Sequence, residues 1–209
     1  VTSASAAAGT NVQTYTFNQS TAQKWTLLET EKTLYSIMGK TNVSVSQMVK
    51  FYKNKATVSY PYSNVSEAPT IEKFCQIYKE ESEVEGVKAE VAFAQAMMET
   101  GFLKFGGDVK KDQYNFAGIG AIGGGSSGAK FDSIRIGIRA HVQHLKAYAS
   151  KEALKQPVVD PRFQYVKRGS AEYVQWLGQK ENPNGYGWAT ALNYGNNIVK
   201  LYILPMKRY

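Results

Sequence analysis

The sequence contains few of the residues on which several classes of protein depend. Cys75 is the single cysteine among 209 residues, which excludes a scaffold held by disulfides within the chain and predicts a buried thiol. Two histidines and one cysteine are too few for a typical zinc site, and neither a metal nor a cofactor is expected. No run of about 18 apolar residues occurs, which excludes a membrane-spanning helix, and no membrane partner is expected. The 14 tyrosines, 9 phenylalanines and 3 tryptophans exclude a solvated, disordered chain.

What the sequence does have is a surplus of basic residues. Lysine and arginine number 25 against 17 acidic residues, which gives a net charge of +8 and an isoelectric point near 9.4. The surplus indicates an anionic partner, and composition alone leaves nucleic acid, lipid and an anionic cell-wall polymer open. Because the basic residues form no dense stripe along one predicted helix, nucleic acid is not the expected partner.

The length of the chain suits one domain with a short attachment. Residues 1–24 are rich in small residues, which predicts a linker or N-terminal extension within a longer protein. Apolar periodicity begins near Trp25, and residues 25–209 are predicted to form the functional domain.

The spacing of apolar residues predicts a mainly α fold. Helical periodicity runs through residues 45–52, 71–78, 88–99, 134–149 and about 189–204, whereas sustained alternation typical of strands is missing. Thr70 is expected to cap the second of these helices, and Gly101 to end the third in the left-handed conformation. Ser170 is expected to cap a further short helix with Leu177 on its inner face, and Pro205 to end the last helix.

A glycine-rich stretch, residues 102–131, separates the third and fourth of these predicted helices. A loop of that length inside a domain is commonly functional, and this one is expected to hold at most a short β-hairpin. Gly118–Gly123 matches the spacing of the dinucleotide-binding motif G-x-G-x-x-G. That motif requires a preceding strand and a following helix, and since neither is predicted, a loop without a nucleotide is expected.

Glu99 is the single carboxylate between Val91 and Phe105, and it stands at the C-terminal end of a helix that is predicted to be buried. Apolar neighbours such as Met97 and Met98 disfavour its ionised form, as does the negative end of the helix dipole. Both effects raise the pKa of a glutamate above its usual value of about 4.3. A carboxylic acid that keeps its proton near neutral pH is suited to protonate a glycosidic oxygen.

The residues around and after Glu99 resemble a known family. Ala92–Gly101 fits the pattern A-x-A-Q-A-x-x-E-[ST]-G, and Asn115–Ile119 fits the pattern N-[LF]-[FA]-G-I that follows it in that family. Further similar segments are Gly137–Ala140, His144–Tyr148, Val159–Phe163 and Trp188–Ile198. As an ordered set over residues 69–205, these elements resemble the glucosaminidase family, glycoside hydrolase family 73, and most closely the catalytic domains of clostridial-type autolysins.

The resemblance implies a lysozyme-like helical domain of two lobes with a central cleft. It also implies hydrolysis of the β-1,4 bond after N-acetylglucosamine in bacterial peptidoglycan, with Glu99 as the proton donor. The family usually has tryptophan after the E-[ST]-G motif, where this chain has Phe102 and so keeps an aromatic ring.

The sequence leaves the second catalytic group open. Asp132 is preferred over Asp108 and Asp112, because it stands where the loop returns and where some relatives carry their second acid. Such a carboxylate would act as base for a water molecule or as nucleophile. In a competing, substrate-assisted route the acetamido oxygen of the substrate attacks, and a tyrosine or a carboxylate steers it. Tyr186 and Tyr194 are the first candidates among the tyrosines, followed by Tyr114.

Sugar rings stack on aromatic side chains and bond to polar groups through their hydroxyls. Gln95 stands one turn before Glu99 on the same helix face. The predicted substrate-binding residues are Gln95, Asn115, Phe116, Tyr186, Trp188 and Tyr114. Arg135 and Arg139 are expected on a solvated helix face, where they could meet carboxylates of the peptidoglycan stem peptide. The two histidines are expected to be structural.

Three functions remain for comparison. The first is an endo-β-N-acetylglucosaminidase: a secreted, wall-associated and monomeric autolysin that acts on peptidoglycan strands in wall remodelling and cell separation. Its net charge of +8 would hold it on anionic wall polymers by nonspecific attraction. The second is a lytic transglycosylase, which uses a similarly placed glutamate on the same substrate. The third is a non-catalytic basic module that binds teichoic or nucleic acid.

Overall fold

A computed structural model describes residues 33–121 and 123–209, and its helices follow the apolar spacing of the sequence. Helix α1 spans Val45–Lys55, α2 spans Ile71–Glu85, α3 spans Ala89–Thr100 and α4 spans Ile134–Ala149. A C-terminal helix consists of α5 (Tyr194–Asn197), a π-helical stretch (Ile198–Ile203) and α6 (Leu204–Met206). Short 3₁₀ helices cover Lys111–Gln113, Phe163–Tyr165 and Val174–Leu177. Residues 1–24 and Trp25 lie outside the described residues, so the predicted linker and the predicted start of the domain stay predictions.

The ends of the long helices are set by capping residues. The Thr70 hydroxyl accepts a hydrogen bond of 3.2 Å from the backbone N–H of Lys73 and so caps α2, as predicted. Gly101 follows α3 with a φ of 58°, a left-handed conformation that glycine adopts at little cost, and this prediction is confirmed too. The described part of the chain is therefore a mainly helical, lysozyme-like domain, in which isolated bridges replace strands.

Three local predictions differ from the structure. Ser170 caps no helix, because the chain forms only a 3₁₀ turn that begins after Tyr173. The C-terminal helix continues through Pro205, which stands at the start of α6, directly after the π-helical stretch. The hairpin allowed for the glycine-rich loop is reduced to one antiparallel bridge between Gly123 and Ser126.

Helix α3 lies in the core and has buried residues on nearly every face, as its apolar composition predicts. It packs against α2 and the C-terminal helix, while α2 also packs along α4. Cys75, on α2, is a free and fully buried thiol. None of the described helices combines the length and apolar composition needed to cross a bilayer. The packing brings the last turn of α3 close to both the glycine-rich loop and the C-terminal helix.

Two glycines allow backbone segments to approach each other closely at that position. A Cβ atom at Gly137 of α4 would stand 1.8 Å from the carbonyl oxygen of Tyr114, so the loop lies directly on the helix. A Cβ atom at Gly195 of α5 would stand 2.0 Å from the carbonyl oxygen of Val174. Only a residue without a side chain fits at either contact. These contacts therefore fix the two segments that carry the site.

Candidate active site

Glu99 lies in the last turn of α3 and faces a cavity of about 260 Å³, called here the Glu99 cavity. Its Oε1 accepts a hydrogen bond from the hydroxyl of Tyr194. Its Oε2 is 4.0 Å from the position that a Cβ atom at residue 118 would occupy. Glu99 and Gly118 therefore lie side by side in the lining of this cavity. The other lining residues are Thr100, Gly101, Phe105, Gly107, Asp108, Val109, Asn115 and Ala121.

The surroundings of Glu99 favour the protonated form of its carboxyl group. The side chain is exposed to the cavity, yet the protein packed around it removes much of the solvation of its charge, and this desolvation raises the pKa of Glu99. The hydrogen bond from Tyr194 acts in the opposite direction and is the smaller effect. The direction of the pKa shift predicted from the sequence is therefore confirmed, and Tyr194 moderates it.

A chain of buried hydrogen bonds ends at Glu99, and we call it the buried relay. Tyr78 of α2 bonds to Nδ1 of His141 on α4 at 2.9 Å, and Nε2 of His141 bonds to Oε1 of Gln95 at 2.8 Å. Nε2 of Gln95 donates at 2.9 Å to the hydroxyl of Tyr194, which donates to Glu99. The relay thus joins α2, α4, α3 and α5 behind the site.

The hydrogen bonds of the relay have a single direction. Burial lowers the pKa of His141 to about 3, so its ring is neutral and carries one N–H. Since Gln95 turns its amide N–H₂ toward Tyr194, its oxygen faces the ring and must accept from Nε2–H of His141. Nδ1 then accepts from Tyr78. Burial and the charge of Glu99 raise the pKa of Tyr194 well above its usual value, so its hydroxyl stays protonated and donates.

Backbone strain is concentrated beside the two residues that meet in the site. The described non-glycine residues with left-handed φ are Phe102, Leu103, Phe105, Tyr114 and Asn193, with values of 50–63°. The first four follow Glu99 along the chain, and Asn193 immediately precedes Tyr194. Such strain is typical of functional segments that the surrounding structure holds in place. Thr100 supports the turn after Glu99, because its hydroxyl accepts a 3.0 Å hydrogen bond from the N–H of Leu103.

A second cavity, of about 280 Å³, adjoins the first and is called here the Trp188 cavity. The two cavities share Gly118 and Ala121 in their linings. The ring of Trp188 packs against His144, with centroids 4.5 Å apart, and against Tyr148 at 5.7 Å. The remaining lining residues are Ile119, Gly120, Arg162, Tyr165 and Val166. The glycine-rich loop therefore separates an acidic cavity from an aromatic one.

Of the predicted catalytic groups, the structure brings Glu99 and Tyr194 together. It does not bring Asp132 to them: Asp132 is exposed and lies outside the lining of the Glu99 cavity. Asp108 does line this cavity, whereas Asp112 does not. The roles of these aspartates stay predictions. The sequence favours Asp132 as the second catalytic group, whereas the position in the cavity lining favours Asp108.

Several predicted substrate-binding residues lie behind the cavity surface. Gln95 is fully buried and reaches Glu99 only through Tyr194. Phe116, with 1% exposure, is a core residue whose ring packs on Phe74 at 5.1 Å, so its predicted role as a sugar contact is corrected. Tyr114 is half-buried, packs on Tyr62 and other core residues, and lines neither cavity.

Asn115 organises the glycine-rich loop from its centre. Its Nδ2 donates to the carbonyl oxygens of Ile119 and Ala129 at 2.9 and 3.0 Å. Its Oδ1 accepts from the N–H groups of Ile119 and Ala117. These four contacts use the hydrogen-bonding capacity of the amide. A direct hydrogen bond from Asn115 to substrate stays a prediction, and its observed partners are all within the loop.

Of the residues predicted to lie on the surface and meet substrate, one lines a cavity and the others do not. Trp188 lines a cavity as expected, whereas Tyr186 is 39% exposed, lies outside both linings and accepts a 2.9 Å hydrogen bond from Lys167. Arg135 and Arg139 are not on a solvated face. Both are ion-paired with Glu81 of α2, at 3.0 and 2.9 Å, so they are not available to a substrate carboxylate.

Both histidines have hydrogen-bond partners inside the protein, as expected from the sequence. His141 belongs to the buried relay, and Nδ1 of His144 bonds to the carboxylate of Asp160 at 2.7 Å. Within residues 33–121 and 123–209, no group of three or more histidine, cysteine, aspartate or glutamate side chains is placed to hold a metal ion.

Fold and site together define a helical, lysozyme-like domain that presents one protonatable glutamate in a cleft. Residues 75–203, more than half of the chain, match the glucosaminidase family model, described as mannosyl-glycoprotein endo-beta-N-acetylglucosaminidase. The chain therefore belongs to the glucosaminidase family. It is 46% identical over 126 residues to an "Uncharacterized protein" of Borreliella burgdorferi, and this match covers 60% of the chain and 58% of the relative. No solved structure matches the chain.

Proposed function

We propose that the protein is an endo-β-N-acetylglucosaminidase that hydrolyses the β-1,4 bond after N-acetylglucosamine in bacterial peptidoglycan. The observation that carries this proposal is the carboxyl group of Glu99, which is held between a buried tyrosine and an open cavity in a chain of the glucosaminidase family. Its raised pKa is the property that a general acid requires at neutral pH.

Glu99 is the general acid in the proposed reaction. Its Oε1 is engaged by the Tyr194 hydroxyl, so the proton resides on Oε2, the oxygen beside Gly118. Transfer of this proton to the glycosidic oxygen accompanies cleavage of the bond between that oxygen and C1 of N-acetylglucosamine. Glu99 is left ionised, and the hydroxyl of Tyr194 stabilises the new carboxylate through a charge-assisted hydrogen bond.

The group that acts on the opposite side of the sugar is either Asp108 or the substrate itself. Asp108 lines the same cavity as Glu99 and is therefore better placed than Asp132 to activate a water molecule. A base of this kind inverts the configuration at C1, whereas attack by the acetamido oxygen retains it. NMR observation of the anomer released first distinguishes the two routes.

The proposed location is the bacterial cell wall, after secretion. The net charge of +8 supports nonspecific attraction to anionic wall polymers, which would keep the enzyme near its substrate. An autolytic role in wall remodelling and cell separation follows from this location and from the proposed bond specificity.

The test is the Glu99→Gln variant, with Glu83→Gln as a matched control on an exposed part of α2. Release of soluble fragments from purified cell walls is expected to fall about 10³-fold in Glu99→Gln and to stay unchanged in the control. Circular dichroism establishes that both variants are folded. Undiminished lysis by folded Glu99→Gln would refute the assignment.

Mass spectrometry of the fragments tests the reaction itself. Reducing ends at N-acetylglucosamine are expected from the proposed hydrolase. Products with 1,6-anhydro-muramyl ends would instead assign the site to a lytic transglycosylase. Wild-type protein that releases no fragments but binds duplex DNA with a steep dependence on salt would favour the non-catalytic basic module.

A further inference from the structure

The Trp188 cavity contains an arginine that has no acidic partner. Arg162 lines this cavity, and its guanidinium carbon lies 4.4 Å from the centroid of the Tyr165 ring. Among the described residues, no carboxylate lies within ion-pair distance of its guanidinium group. This distinguishes Arg162 from Arg135 and Arg139, whose charges are compensated by Glu81.

The segment that carries Arg162 is anchored to α4. Asp160 is buried, its Oδ2 bonds to His144, and its Oδ1 accepts a 2.8 Å hydrogen bond from the N–H of Arg162. Oε1 of Gln143 also accepts from the N–H groups of Val159 and Asp160. The backbone before the guanidinium group is therefore held in place. Stacking on Tyr165 orients the group and leaves the N–H donors at its edge free for a planar anion.

The proposed substrate carries such an anion next to the bond that is cleaved. Peptidoglycan strands alternate N-acetylglucosamine with N-acetylmuramic acid, so both neighbours of any N-acetylglucosamine are muramyl sugars. A muramyl sugar bears a lactyl ether that ends either in a free carboxylate or in a stem peptide with carboxylates of its own. Because Gly118 and Ala121 line both cavities, a strand with one sugar at Glu99 would extend its neighbouring sugar toward the Trp188 cavity.

We propose that Arg162 binds a carboxylate of the muramyl sugar that adjoins the N-acetylglucosamine at Glu99, while Trp188 and Tyr148 contact the sugar itself. The inference rests on the proposed function and extends it to substrate selection. A strand of N-acetylglucosamine alone, such as chitin, has the same β-1,4 linkage but no carboxylate. The Arg162 site thus selects peptidoglycan over neutral strands with an identical scissile bond, through a bidentate arginine–carboxylate contact.

The experiment measures binding in the Glu99→Gln background, where the ligands stay intact. The ligands are chitotetraose, a tetrasaccharide of alternating N-acetylglucosamine and N-acetylmuramic acid with free lactyl groups, and the same tetrasaccharide with stem peptides. Arg162→Gln is compared with Arg208→Gln, which removes an equal charge at an exposed position outside both cavities. Calorimetry gives Kd, and circular dichroism establishes the fold.

Arg162→Gln is expected to weaken binding of the muramyl ligands about tenfold and to leave chitotetraose within about twofold. If Arg162→Gln binds the free lactyl ligand more weakly, the lactyl carboxylate is the anion that Arg162 binds. If binding weakens for the stem-bearing ligand alone, the anion is a carboxylate of the stem peptide. Equal weakening for all three ligands, or for none, would overturn the Arg162 proposal while wall lysis by the wild-type protein still supports the proposed function. Failure of the wild-type protein to lyse walls, with no binding in the Glu99→Gln parent, would overturn both.

Discussion

Two sets of buried polar side chains join α2 to α4, and they differ in charge and in where they end. In the first, the ion-paired network, Lys146 bonds to Glu85 at 2.9 Å with both side chains fully buried, and Glu81 binds two arginines of α4. The second is the buried relay, which starts at Tyr78 and His141, is neutral along its length and ends at Glu99.

The difference separates a structural network from one that is coupled to the cavity. Every charge of the ion-paired network is compensated inside the protein, and Glu85 also accepts from the N–H groups of Lys155 and Gln156. Such an arrangement makes stability depend strongly on each partner. The relay places no charge in the core, and it directs successive hydrogen bonds at Glu99, whose carboxylate faces the Glu99 cavity. Damage to the first should therefore reduce stability alone, and damage to the second should also change catalysis.

The largest effect is expected for Lys146→Met. The exchange leaves Glu85 as a buried carboxylate without its cation, which should lower the free energy of unfolding by about 3–5 kcal/mol. Urea unfolding followed by circular dichroism measures this loss. Wall lysis per folded molecule should not change, because the network does not reach Glu99. The double variant Glu85→Gln/Lys146→Met should recover part of the stability, and a single variant that loses less than about 1 kcal/mol would contradict the comparison.

An intermediate effect on stability is expected for His141→Phe. The phenyl ring leaves the Tyr78 hydroxyl and the Gln95 oxygen without partners, which should cost about 1–3 kcal/mol of unfolding free energy. Because Gln95 then no longer orients Tyr194, the rate of wall lysis should also fall about tenfold. His141→Gln, which keeps a donor and an acceptor, should restore part of both losses. If stability falls while the rate per folded molecule is unchanged, the relay is structural only.

The smallest effect is expected for Tyr194→Phe, and it is a shift in the pH profile together with a moderate loss of rate. The variant removes the hydrogen bond that lowers the pKa of Glu99, so this pKa rises further. As the proposed general acid, Glu99 must be protonated to act, so activity should fall as pH rises through its pKa, and the alkaline limb should move to higher pH in the variant. Below that limb, kcat/KM should fall about tenfold, because the carboxylate formed in the reaction loses one charged hydrogen bond.

Tyr202→Phe is the control for this pH profile. Burial, and to a smaller extent the charge of Glu99, raises the pKa of Tyr202, but the hydrogen bond that acts on the pKa of Glu99 comes from Tyr194 and not from Tyr202. Its removal should leave the alkaline limb in place. An unchanged limb in Tyr194→Phe, or a shift toward lower pH, would show that the Tyr194 hydroxyl does not set the pKa of Glu99.

Helix α3 and Glu99 could be predicted from the sequence because their signals are local. A run of apolar residues on every face indicates a buried helix, a following glycine indicates its end, and a carboxylate at that end has a raised pKa on elementary grounds. The motif around Glu99 also indicated the family before any contact was known.

The relay could not be predicted, because its members meet through tertiary structure. Gln95 and Tyr194 stand 99 residues apart, and Tyr78 and His141 stand 63 apart. The one available signal was a histidine in the middle of the apolar face of α4. Phe116 shows a different limit of sequence analysis. The motif identifies an aromatic residue at this position, but it does not indicate whether the ring packs in the core or lines the cavity. Arg135 likewise forms its ion pair with a residue of another helix, Glu81 of α2, and the spacing of residues along α4 does not indicate such a partner.

The close contacts at Gly137 and Gly195 also decide how this protein can be engineered. Exchanging glycine for alanine commonly stabilises a protein by reducing the entropy of its unfolded chain. At these two positions the added methyl group would overlap a carbonyl oxygen of a neighbouring segment. Variants designed to stabilise the protein should therefore keep both glycines, because the first holds the loop on α4 and the second follows Tyr194, which contacts Glu99.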